Sequence, residues 1–176
     1  MKKNLTYKTA LAAILCAQAL ALGFIENFIP AFPFMPPGAK PGFSNIITMF
    51  AAGSLGLPWA VVITLIKALF AFATRGVTAG AMSFAGGIVS TLVMYLLLKY
   101  ADKILGLTGI SVIGALCHNA GQLLVSVFIT GSSKTFYYAP ALAIFGLITG
   151  VVTGVIFKAV LPALEKQKKY FFKFVE

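Results

Sequence analysis

Long apolar runs, separated by short turns carrying glycine, proline or charge, make up most of this chain, and their lengths predict helices rather than strands. Runs over about 6–28, 58–73, 79–100, 109–129 and 137–161 are each near the roughly 20 residues that carry a helix across the ~30 Å hydrocarbon core of a bilayer. A shorter run over about 43–55 adds a sixth. The pattern predicts an all-α integral membrane bundle of six transmembrane helices, in one domain over residues 1–176. Gly56-Leu57-Pro58, Thr74-Arg75-Gly76 and Gly131-Ser132-Ser133 mark turns. Between the first two runs, Pro30, Pro33, Pro36, Pro37 and Pro41 preclude a helix, and Phe32, Phe34 and Met35 lie among them. An irregular segment this apolar belongs at the membrane interface or over a cavity as a lid, where its backbone groups find partners.

Polar residues inside the apolar runs stand out against that background. His118, Asn119 and Gln122 interrupt the fifth run; four residues apart, His118 and Gln122 share a helix face, with Asn119 beside them. Polar side chains at such depth are costly against lipid and should face the protein interior or a cavity. Glu26 and Asn27 close the first run, Ser44, Asn45 and Thr48 open the second, and Ser83 lies near the start of the fourth. Lys67 sits in the second half of the third run, where an isolated lysine costs about 2.5–3.5 kcal/mol on insertion scales. Either it snorkels to the interface or it meets a ligand or Glu26. Small residues form two stripes: Ala13, Ala17 and Ala21 on the first helix, and Gly146, Gly150 and Gly154 on the sixth. Such stripes serve packing within a bundle or contact with another membrane helix.

Composition agrees with a membrane location: 60% of the 176 residues are hydrophobic, 10% are charged and mean hydropathy is +0.97. The formal net charge of +10 would suggest nucleic acid in a soluble chain. Here the basic residues cluster at the ends of apolar runs, which fits membrane topology and anionic headgroups and implies no nucleic-acid partner. With six spans, ten lysines fall on the side of the termini, against Lys40, Arg75 and Lys134 on the other, Lys67 being left within the membrane. Both termini are therefore expected in the cytoplasm. The N-terminal Met1-Lys2-Lys3 and the apolar run after it read as an uncleaved first span. In this orientation Glu26, Lys40, Asn45, Thr48, Lys67, Arg75 and Ser83 lie in or beside the outer half, and His118 and Gln122 lie from mid-depth outward. An outward-facing small-molecule pocket follows from their convergence.

Several activities are disfavoured. No phosphate-binding loop of the G-x-x-x-x-G-K-[ST] type is present, so ATP hydrolysis by that machinery is not expected. Asp102 is the sole aspartate, which leaves no acidic cluster to hold magnesium on a diphosphate. One histidine and two scattered cysteines, Cys16 and Cys117, make neither a metal site nor a disulfide framework, and no cofactor is indicated. His118 has no evident nucleophile beside it; a packed histidine and a ligand contact both remain open. The chain is not expected to be an enzyme.

Three stretches carry a family resemblance: Lys40-Pro41-Gly42-Phe43-Ser44-Asn45-Ile46-Ile47-Thr48, Ser83-Phe84-Ala85-Gly86-Gly87, and the run from Gly114 through His118-Asn119-Ala120-Gly121-Gln122 to Leu124. They resemble the bacterial Gx transporter family, also labelled heptaprenyl diphosphate synthase component I, over nearly the whole chain. His118-Asn119-x-Gly121-Gln122 is the most specific piece, and Lys40-x-Gly42-x-x-Asn45 is less so. That family is similar to the substrate-binding S components of energy-coupling-factor (ECF) transporters. The resemblance implies a bacterial cell-membrane protein of six helices, with a substrate pocket near the outer face. It also implies a separate transmembrane coupling protein and two cytoplasmic ATPases as partners, the coupling protein meeting small residues of the first helix such as Ala13, Ala17 and Ala21. Substrate-binding roles are carried onto Lys40, Asn45, His118, Asn119 and Gln122. The ligand would be a small molecule: a vitamin, flavin, quinone precursor or isoprenoid. Two alternatives accompany this reading: a membrane component of flavin- or quinone-linked extracellular electron transfer, and an isoprenoid (heptaprenyl diphosphate) synthesis component. The latter fits poorly with the missing aspartate-rich motifs.

Overall fold

The structure, a computed structural model, describes residues 2–28 and 36–165, and these residues contain helices and no strands. In order come α1 (Lys2–Ile25), a 3-10 turn (Glu26–Phe28), α2 (Asn45–Ser54), α3 (Leu57–Arg75) and α4 (Val77–Tyr100). They are followed by α5 (Asp102–Thr130), a second 3-10 turn (Ser133–Tyr138) and α6 (Ala139–Glu165). Five segments are long and apolar enough to cross a membrane: Leu5–Phe28, Leu57–Arg75, Val77–Tyr100, Asp102–Thr130 and Ser133–Leu161. The predicted lid residues Pro30, Phe32, Pro33, Phe34 and Met35 lie outside the described residues, as do Lys166, Lys168, Lys169 and Lys173.

The second predicted span is the exception in length. At 10 residues α2 extends about 15 Å, half of a hydrocarbon core. It is enclosed by the bundle: Asn45, Thr48, Met49, Phe50, Ala51, Ala52 and Gly53 are all buried, and α2 touches each of the other five helices. Met49, Phe50, Ala51 and Ala52 carry apolar side chains round the helix, as a core position requires, with Asn45 and Thr48 its buried polar exceptions. Around it gather Ala12, Leu15 and Ala19 of α1, Ala60 and Ile63 of α3, Met94 and Leu98 of α4, Ile110 of α5 and Phe157 of α6. Leu55 ends α2, Gly56 turns with φ 90°, and Pro58 occupies the first turn of α3, where its missing N–H is harmless.

Helices α3 to α6 pack pairwise as antiparallel neighbours, and glycines set their separation. A Cβ at Gly150 would lie 2.5 Å from the Val112 Cα, and one at Gly154 would lie 2.7 Å from the Thr108 Cα. The α6 stripe is thus the face packed on α5. Likewise, a Cβ at Gly121 of α5 would lie 2.7 Å from the Cα of Gly86 on α4. Hydroxyl pairs bridge the same interfaces: Thr64 to Thr91 and Ser111 to Thr153, both at 2.8 Å. Such bonds join helices that gain no hydrophobic drive from each other in lipid. The outer faces of the bundle are large and apolar, as on α6, where Ile144, Leu147, Ile148 and Val151 are exposed. In α5, Gly106 leaves the helical region (φ 60°, ψ 171°), so Asp102 to Leu105 form a short turn ahead of the long helix.

The first helix turns Ala12, Leu15 and Ala19 inward. Ala13, Ala17 and Ala21 are exposed, so this stripe does not pack within the bundle.

Candidate functional site

Where α1 and α3 finish and α4 begins, the peptide over residues 36–44 crosses the end of the bundle as a strap, and four side chains hold it. Gln122 of α5 makes a two-point amide clamp on Lys40: its Oε1 accepts the Lys40 N–H at 2.9 Å and its Nε2 donates to the Lys40 carbonyl at 3.1 Å. Arg75, at the end of α3, donates from Nη1 to the Gly38 carbonyl at 3.2 Å. Glu26 is buried, and its Oε1 accepts the Ser44 N–H at 2.9 Å, placing a carboxylate at the N-terminus of α2. The Lys40 Nζ reaches back to α1, donating to the Gly23 carbonyl at 2.6 Å and to Asn27 Oδ1. Burial, then the nearby Arg75 charge, pushes the Lys40 pKa down to about 8, with Glu26 acting in the opposite sense.

Beneath the strap is a partly open cavity of about 40 Å³, room for a few waters and smaller than an occupied small-molecule site. Its walls come from the end of α1, the strap, α3, the start of α4 and the middle of α5. Apolar lining is supplied by Ala19, Leu20, Phe70, Ala71, Ala79 and Met82, and polar lining by Glu26, Asn27, Lys40, Ser44, Lys67, Thr74, Arg75, Ser83, His118 and Gln122. Lys67 turns inward, its Nζ donating to Asn45 Oδ1 at 3.0 Å, so the snorkelling alternative does not describe it. His118 is buried between the strap and α4: a Cβ at Gly42 would lie 3.1 Å from its Cδ2, and one at Gly86 would lie 3.0 Å from its Nδ1. Gly42 has φ 85° as well, so both its conformation and its lack of a side chain are required where the strap meets the imidazole.

The sequence-predicted residues divide by position. Glu26, Lys40, Lys67, Arg75, Ser83, His118 and Gln122 all line the cavity. Asn45 stands behind it, supporting Lys67, while its own Nδ2 is buried without a hydrogen-bond partner. Thr48 is buried on α2 and bonds the Asn45 carbonyl at 2.9 Å. Asn119 faces α6, where it donates to the Leu142 carbonyl at 2.8 Å, and is not part of the lining. The wall also uses Phe70, Thr74 and Met82, which were not predicted. The spacing Lys67, Phe70, Ala71, Thr74 marks one α3 face and would have found two of them. Among the described residues no group of three or more His, Cys, Asp and Glu side chains could hold a metal ion.

Fold and comparisons together define a multi-pass helical membrane protein with the architecture of a transporter S component. A solved structure of the S component of a bacterial ECF transporter matches with a TM-score of 0.66 and 18% sequence identity, over 92% of this chain and 99% of the other. The profile of the family described as heptaprenyl diphosphate synthase component I matches residues 15–160, and the chain belongs to that family. It is the family that the motifs around Lys40 and His118 resemble. No curated protein matches the chain.

Proposed function

We propose that this protein is the membrane substrate-binding component of an ECF-type uptake transporter, non-enzymatic itself and dependent on a separate coupling protein and two cytoplasmic ATPases. The observation that carries this reading is the strapped cavity. It joins the two motif stretches, Lys40 to Asn45 and His118 to Gln122, in one wall at one end of an S-component-like bundle. The charge asymmetry supports cytoplasmic termini, an orientation in which the cavity would face the outer side. The exposed Ala13, Ala17 and Ala21 stripe leaves a small-residue surface on α1 open to a partner helix. The word synthase in the family description finds no support in the cavity, which holds one carboxylate, Glu26, and no aspartate. Small molecules retained by the purified chain test the reading. Wild type should carry a compound absent from a His118→Ala variant expressed at the same level. Equal retention by both would refute a binding role for this cavity.

A further inference from the structure

The charges around the cavity do not balance. Lys40, Lys67 and Arg75 line it against Glu26 alone. The acceptors that hold the three cations are neutral: the Gly23 carbonyl and Asn27 amide for Lys40, the Asn45 amide for Lys67, and the Gly38 carbonyl for Arg75. One oxygen of Glu26 is itself engaged by the Ser44 N–H. Among the described residues no further carboxylate lines the cavity. Residues 29–35, which connect α1 to the strap, contain no ionisable side chain. Asp102 begins α5, at the opposite end of the bundle, and the side chains of Glu165 and Glu176 lie outside the described residues. Cations held by neutral dipoles in a partly desolvated cavity are oriented without being neutralised, the arrangement expected of a site whose ligand brings the negative charge.

We infer that the cavity recognises its ligand through an oxyanion group, a phosphate or carboxylate, received by Lys40, Lys67 and Arg75. The apolar face of Leu20, Phe70 and Met82 would take the remainder of the molecule. This inference rests on the cavity being the ligand site proposed above. Glu26 carries the same sign as the ligand and holds the strap at Ser44, so it acts as a positioning residue.

The full-length protein in neutral detergent is the material for the test. Its thermal unfolding midpoint is measured in pyrophosphate, phosphate, succinate and chloride at matched ionic strength, because a ligand that binds only the folded state raises the midpoint with concentration. At least one oxyanion should stabilise wild type over chloride. Lys67→Met should weaken the apparent affinity by about tenfold or more, and Glu26→Gln should strengthen it, since the amide oxygen can still accept the Ser44 N–H while the opposing charge is gone. These opposite signs distinguish recognition from general destabilisation, and Glu26→Gln alone carries the test if Lys67→Met does not fold. Identical midpoints in all four anions, or equal responses in wild type and Glu26→Gln, would overturn the inference. The same titration in phosphatidylcholine nanodiscs, with and without phosphatidylglycerol, identifies the source of the anion. Loss of the pyrophosphate response with phosphatidylglycerol assigns the site to a lipid headgroup, and its survival assigns it to a soluble ligand. Recovery of ATPases with the chain does not depend on the anion, so failure here leaves the transporter reading standing.

Discussion

Replacing Gln122 with leucine should release the strap while leaving the bundle folded. Both Gln122 contacts are to the Lys40 backbone, at 2.9 and 3.1 Å. Each such bond contributes about 0.5–1.5 kcal/mol net, and a buried group left unpaired costs about 1–3 kcal/mol. Were the strap to stay docked, leaving both Lys40 groups unpaired would cost about 2–6 kcal/mol. Pro37 and Gly38 are exposed, however, so the peptide can lift off and regain water as partner. The penalty then appears as easier local opening, by about 10- to 100-fold at 1.4 kcal/mol per factor of ten. Hydrogen exchange followed by mass spectrometry on peptides covering residues 36–44 reads this directly, since the Lys40 N–H is a protected donor there beside those of Ala39 and Ser44. Gln122→Glu keeps that acceptor but loses the donor to the Lys40 carbonyl, and should give a smaller acceleration. Unchanged protection of residues 36–44 in Gln122→Leu would refute the clamp.

Further expectations follow from the same geometry. Gly42→Ala puts a Cβ 2.9 Å from Asn45 Nδ2 at φ 85°, and should lower stability by more than about 1 kcal/mol, read as a fall in the thermal midpoint. Gly121→Leu drives a side chain into the Gly86 backbone and should abolish a monodisperse peak in size-exclusion chromatography. Thr64→Val and Thr91→Val remove the α3–α4 hydroxyl pair, and a double-mutant cycle should return about 0.6 kcal/mol of coupling. Lys40 titrates near pH 8 in the folded protein against 10.5 ordinarily, so between those values the unfolded chain binds more protons. Its contribution to stability therefore rises with pH across that window, and the difference between the wild-type and Lys40→Met profiles should show it.

Much of this architecture is readable from apolar run lengths, because lipid demands an uninterrupted stretch of about 20 residues and few soluble designs mimic one. The short α2 is a harder case: an apolar helix buried in protein and one buried in lipid use the same residues. In the site, the motifs around Lys40 and His118 named the two walls, yet Asn119 could not be separated from its neighbours by type. About 100° per residue turns it from the cavity toward Leu142, and only the position of α6 reveals what lies there. Lys67 shows the same limit, because its direction depends on Asn45 of a different helix. On α1, alanines occupy the buried and the exposed faces alike, so composition alone does not tell Ala12 and Ala19 from Ala13 and Ala17.

The identity of the proteins that accompany this chain tests the central claim most directly. The tagged protein would be extracted from its native membrane in mild detergent and its partners identified by mass spectrometry. An S component should bring a multi-span coupling protein and a pair of ATPases, and leucine at Ala13 and Ala17 should reduce their recovery. Flavoproteins or quinone enzymes recovered in their place, with no ATPase, would contradict the transporter account and assign the chain to a membrane redox assembly.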